Sequence, residues 1–245
     1  MPGRRPLTPP EQRRLLRVAR RLPPRDRALL TALLFSGHRV SEILSLRLAS
    51  VWRAGAVVGR LNVSPRYLKG GYGPTRSVPI LPEFRRALEV YIVWLRQRYE
   101  LDPALPLIIS REVDSEGAAR ALSAESARRI LLNACAQAGI ENDGRLGTHS
   151  LRKAFAMNVY RNSGNDLMVV KAALQHSSVV ISQAYLSADD AAVELAIRGC
   201  DFTRKAPRPT APRALENVVP FSSARAAVEE APRISNTNKR QSAEA

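Results

Sequence analysis

Hydrophobic positions along most of the chain recur every three or four residues, the spacing of one helix face. Leu15, Leu16, Val18 and Ala19 form a first stripe. Thr8 stands before it with Glu11 three residues on, the reciprocal pair that opens a helix, and Pro23-Pro24 closes it. A second helix is predicted from about Arg25 to Ser36, with Ala28, Leu29, Ala32, Leu33 and Phe35 inward. Gly37 interrupts it, and a short third helix follows with Val40, Ile43, Leu44 and Leu48 buried. Between residues 56 and 80 the pattern changes. Val57-Val58, Leu61-Asn62-Val63 and Ser77-Val78-Pro79-Ile80 predict short strands around a glycine-rich turn, Tyr67 to Pro74. Pro79 argues for an edge position. Helical spacing returns from Pro82 to about Tyr99, with Phe84, Leu88, Tyr91, Ile92 and Leu95 on one face. Leu105 to Ser110 reads as extended. Ser123 caps a helix to about Ala138, closed by Gly139. Further helices are predicted over 148–160, 166–174 and 188–197, with a short turn from Ser177 or Ser178 to Tyr185. The expected class is mainly α with a small antiparallel β-sheet, an α+β arrangement.

Past Gly199 the texture is that of a linker, Lys205 to Arg213 being rich in Pro and Arg. Val218, Val219 and Phe221 form a small apolar island before a polar tail. Three regions are expected: a basic amino-terminal segment with a short helix at 1–24, a packed body at 25–199, and a tether and mostly flexible tail at 200–245.

Composition narrows the functional classes. Of the 245 residues 45% are hydrophobic, enough for a real core. No apolar run approaches the roughly 18 residues that span a membrane, so no membrane partner is expected. The amino terminus is basic but leads into polar sequence, which does not read as a secretory signal. Cys135 and Cys200 cannot make a disulfide framework, and with three His they offer no convincing zinc cluster. A reducing cytoplasm is the expected location. The formal charge of +16 points to a polyanion, nucleic acid being the commonest and an anionic membrane surface the rival.

The three His are His38, His149 and His176. His149 opens a helix with Arg152 three residues on, so both share one face near free backbone amides. That arrangement can converge on an anion, or be a capped helix with two solvated side chains. Arg39 follows Gly37-His38, with Glu42 placed to orient its guanidinium or simply to pair with it at the surface. Lys69 sits on the glycine-rich turn, where most lysines are only solvated. Tyr185 can be a reactive phenol or a packed aromatic.

Order and spacing carry more than any one of these. Ser36-Gly37-His38-Arg39-Val40-Ser41-Glu42-Ile43-Leu44-Ser45-Leu46 resembles the first signature of the tyrosine recombinase (phage integrase) family. Thr148-His149-Ser150-Leu151-Arg152-Lys153-Ala154-Phe155-Ala156 resembles its His-x-x-Arg signature. Leu174-Gln175-His176-Ser177-Ser178 followed by Tyr185 resembles the last, and Leu68-Lys69-Gly70 with Arg76 to Ile80 behind it resembles the hairpin of the catalytic lysine. The resemblance covers about residues 8–195 and implies that the body at 25–199 has the tyrosine recombinase catalytic-domain fold. It implies Arg39 and Arg152 as phosphate-binding arginines, and His149 and His176 as the active-site imidazoles. It further implies Lys69 as the acid, Glu42 as the companion of Arg39, and Tyr185 as the nucleophile. Arg76 and Lys153 are added as DNA-binding residues. Two positions depart from the commonest pattern. Gln175 stands where Gly is frequent, and Lys153 where many members have His. Most members also carry a separate amino-terminal helical domain on the opposite face of DNA, where here about 24 residues precede the helix leading to Arg39.

The implied activity is site-specific recombination: DNA strands are cut and rejoined through a 3'-phosphotyrosine, with no metal, ATP or other cofactor. The partner is double-stranded DNA, with a homo-tetramer on two sites and a monomer or dimer when free. The setting is a prokaryotic nucleoid, a phage or a mobile element. A relaxing enzyme of the type IB topoisomerase kind, and a non-catalytic DNA-binding protein on the same scaffold, are the alternatives.

Overall fold

The computed structural model describes residues 4–65, 75–113, 115 and 117–174. The helix α1 spans Pro9–Ala19 and opens on the capping box: the Thr8 hydroxyl accepts from the Glu11 N–H, and Glu11 Oε2 accepts from the Thr8 N–H at 2.7 Å. The next helix, α2 (Pro24–Ser36), starts on a proline whose missing N–H costs nothing there. The sequence assigned it one inward face, yet Ala28 to Leu34 are buried without a break, while Phe35 is only half-buried. A helix apolar on every side lies at the centre of its fold. Here α1, α4 (Pro82–Arg96), α5 (Ala124–Gln137) and α6 (Thr148–Asn162) all pack around it.

Between α2 and α4 come α3 (Val40–Leu44), a 3₁₀ turn at Leu48–Ser50, and two hairpins. The strands β1 (Trp52–Arg53) and β2 (Ala56–Val57) form the first. In the second, β3 (Arg60–Val63) pairs antiparallel with β4 (Arg76–Pro79), Val63 facing Arg76 and Arg60 facing Pro79. A third ladder joins β5 (Ile109–Val113) to β6 (Ala119–Ala121) with an irregular register. The described residues therefore hold three separate two-stranded antiparallel ladders where one small sheet was expected. Ala119-Arg120-Ala121 carries no β-branched or aromatic residue, so β6 leaves no sequence signal. The helix α4 buries the expected face, and the Ser123 hydroxyl caps α5 as expected.

Leu7, Leu15 and Ala19 from the amino-terminal segment pack into the same core as α2 to α6. The last described helix, α7 (Leu167–Leu174), buries Val170 and Leu174 against Ala156 of α6. No described helix is long and apolar enough to cross a membrane.

Candidate active site

Gly37 organises the site. It closes α2 at φ 61, in the left-handed region where a side chain is strained. A Cβ at this position would also overlap the Phe155 ring of α6. The turn therefore sits directly on α6, and its carbonyls point at arginines. The Gly37 carbonyl accepts from Arg152 Nη1 at 2.6 Å and from Arg76 Nη1 at 3.3 Å, and the Ser36 carbonyl accepts from Arg76 Nη2 at 2.8 Å. Arg152 Nη2 donates to the Leu174 carbonyl at 3.2 Å, which brings the end of α7 to the same point.

Glu42 balances this charge. Its side chain is 1% exposed. One oxygen accepts from Arg39 Nη1 at 2.6 Å, and the other from the Arg39 N–H at 2.8 Å, capping α3. The second oxygen also lies 3.8 Å from Arg76 Nη1 and 4.0 Å from Arg152 Nη1. Three guanidiniums thus share one buried carboxylate, and the cluster keeps an excess of positive charge. Burial, then Arg152, pull the Arg76 pKa down to about 9, with Glu42 opposing, so it stays cationic at neutral pH.

The sequence-predicted residues divide into three groups. Arg39, Glu42, Arg152 and His149 converge. Arg39 is 30% exposed at its side chain, and Arg152 is buried beneath it. His149 is exposed on the first turn of α6. Its pKa is lowered by partial burial and then by Arg152, Arg39 and Arg4, against Glu42, so the imidazole is neutral at pH 7. Arg76 and Lys153 were both assigned to DNA. Arg76 is 2% exposed and faces inward, docking the base of the β3–β4 hairpin onto the Gly37 turn. This was legible: on a strand Arg76, Val78 and Ile80 share one face, and two of the three are apolar. Lys153 is half-buried, its pKa lowered by burial and Arg145. Lys69, His176 and Tyr185 lie outside the described residues, Lys69 falling between β3 and β4 in sequence.

One member of the cluster was given no role from sequence. His38 is 1% exposed, and neither ring nitrogen has a hydrogen-bond partner among the described residues. Burial, then Arg76 and Arg152, push its pKa down to about 2, so it sits among the guanidiniums as a neutral group. Among the described residues no three His, Cys, Asp or Glu side chains are grouped to hold a metal ion.

The pattern that defines the phage integrase family matches residues 5–192, a stretch that includes every residue of this cluster. The chain belongs to that family. It is 32% identical over 194 residues to tyrosine recombinase XerC of Rhodospirillum centenum, covering 76% of this chain and 50% of that one. Tyrosine recombinase XerD of Mycobacterium leprae is 31% identical over 162 residues, covering 66% of this chain and 47% of its own. Among solved structures, XerA recombinase superposes with a TM-score of 0.61 at 26% identity, covering 81% of this chain and 64% of that one. The chain spans about half the length of the curated relatives it matches.

Proposed function

We propose that this chain is a site-specific DNA recombinase that cuts and rejoins strands through a 3'-phosphotyrosine. The observation that carries the reading is the Arg39–Arg76–Arg152 cluster on one buried Glu42, with neutral His149 at its mouth. Such a surplus of fixed guanidinium charge suits a phosphodiester, whose oxygens gain negative charge in the transition state. Arg39 spends Nη1 on Glu42, leaving Nε and Nη2 for a phosphate oxygen. Arg152 and Arg76, held by backbone carbonyls, act from beneath as fixed charges that need no reorganisation.

Each remaining step follows from what the reaction requires. The Tyr185 oxygen attacks phosphorus, and its proton passes to His149, which accepts one because it is neutral. The bond from phosphorus to the 5'-oxygen breaks, and Lys69 protonates that oxygen as it leaves. His176 donates a hydrogen bond to a phosphate oxygen. The product keeps a phosphodiester bond, so the 5'-hydroxyl of another strand can reverse the step without ATP. One nucleophile per chain makes four chains the working number for two duplexes.

The test is exchange between two duplexes that share a site selected by the full chain from a random-sequence pool. Recombinant products should form in excess EDTA. Relaxation of supercoils without exchange, or binding without any strand cleavage, contradicts the proposal.

A further inference from the structure

The loop that leads to His149 and Arg152 is held by two consecutive arginines from the start of the chain. Arg4 Nη1 donates to the carbonyls of Gly144 and Leu146, each at 2.9 Å. The Arg5 N–H donates to the Arg145 carbonyl at 3.1 Å, and Arg5 Nη2 to the Glu141 carbonyl at 3.1 Å. Four carbonyls of one short loop are thus taken by a two-residue strap. The strap is itself anchored. Arg5 makes a two-pronged pair with Glu11, both contacts at 2.9 Å, and its Nε lies 3.4 Å from Asp143. Glu11 is the capping-box partner of Thr8 at the start of α1, so the strap is keyed to that helix. Leu7 is buried, and its carbonyl accepts from Gln12 Nε2 at 2.9 Å. The other end of the Gln12 amide accepts from Asn158 of α6 at 2.8 Å.

Arg4 also lies against the start of α6: a Cβ at Gly147, the residue before that helix, would stand 3.3 Å from Arg4 Nε. Arg4 Nε and Nη2 bond to none of the described residues, so the charge is offset by no carboxylate there.

We propose that Arg4 and Arg5 are positioning residues for His149, fixing the 141–147 loop and with it the first turn of α6, while Arg4 sets the charge around the imidazole. Among the described residues, the charged groups facing His149 are Arg152 on its own helix, Arg39 and Glu42 at the start of α3, and Arg4 on the strap. The three arginines lower its pKa and Glu42 raises it. Loss of Arg4 therefore raises it. The inference goes beyond the recombinase reading and stands whichever residue is the nucleophile.

Its test uses the full chain without DNA, so its outcome is separate from that of the cleavage assays. Hydrogen exchange is followed across 141–150 with α4 as the internal reference. The His149 ring is titrated by NMR, its signals assigned with His38 and His176 variants. Arg4→Ala should speed exchange in 141–150 by about tenfold, the loss of two hydrogen bonds, while α4 is unchanged. The same variant should move the His149 midpoint upward. Arg4→Lys, which restores a cation, should return that midpoint toward wild type. An unmoved midpoint in Arg4→Ala overturns the proposal. So does exchange that stays slow in 141–150, or that rises equally in α4.

Discussion

At 1% exposure His38 lies in a cluster with Arg76, Arg152 and Arg39, and both its ring nitrogens lack hydrogen-bond partners among the described residues. A proton there would add a fourth cation around one carboxylate. The folded pKa is about 2 against an ordinary 6.5, so the native state stays neutral while the unfolded chain takes up the proton. The stability tied to this difference is complete above pH 6.5 and drains away as the pH falls toward 2. By about pH 5 the loss from this residue is about 2 kcal/mol. Urea unfolding near pH 7.5 and pH 5 should show wild type losing about that much more than His38→Leu. Parallel losses would mean that His38 is not buried neutral. Glu42 offers a second test at this scale. It is buried and serves three guanidiniums, so Glu42→Gln should cost about 3–5 kcal/mol in the same experiment. A cost under about 1 kcal/mol would place the ion pairs at a wet surface instead.

Among the elements, the α2–α3 turn does most to assemble the site, because Gly37 meets two constraints at once. Its φ of 61 is strained for a residue with a Cβ, and that Cβ would meet Phe155. Gly37→Ala should lose about 2 kcal/mol or more, from left-handed strain plus overpacking. Phe155→Leu in the same chain should recover part of the packing loss and none of the strain. A Gly37→Ala variant as stable as wild type would separate α6 from this turn. The elements themselves were legible where local chemistry set them. Thr8 with Glu11, Ser123, and the stripe from Phe84 to Leu95 are read within a few residues of sequence. The all-round burial of α2 was not, since an unbroken apolar run does not say how many neighbours will cover it. Nor was β6, which forms because β5 offers it an edge. The Arg39–Glu42 pair is three residues apart and was readable. The sharing of Glu42 with Arg76 and Arg152, and the strap from Arg4 to the 141–147 loop, join positions far apart in sequence and depend on the packed fold.

For the whole molecule, the proposed function makes the charge of +16 the term that would set how DNA is met. Binding to a duplex of arbitrary sequence should be driven by counterion release. With about six phosphate contacts, affinity should fall about 10³-fold between 50 and 200 mM salt. An affinity that hardly changes over that range would remove the electrostatic account. The central claim is that Tyr185 becomes joined to DNA, and it is measured most directly by trapping that bond. A nicked suicide duplex carrying the selected site lets the cut end diffuse away, so the intermediate accumulates. Wild type should give a complex that survives SDS, and peptide mapping should place the DNA on Tyr185. Tyr185→Phe removes one hydroxyl and keeps the ring, so folding and binding should persist while the adduct vanishes. An adduct formed by the Phe variant, or one mapped to Tyr160 or any other residue, would contradict the account.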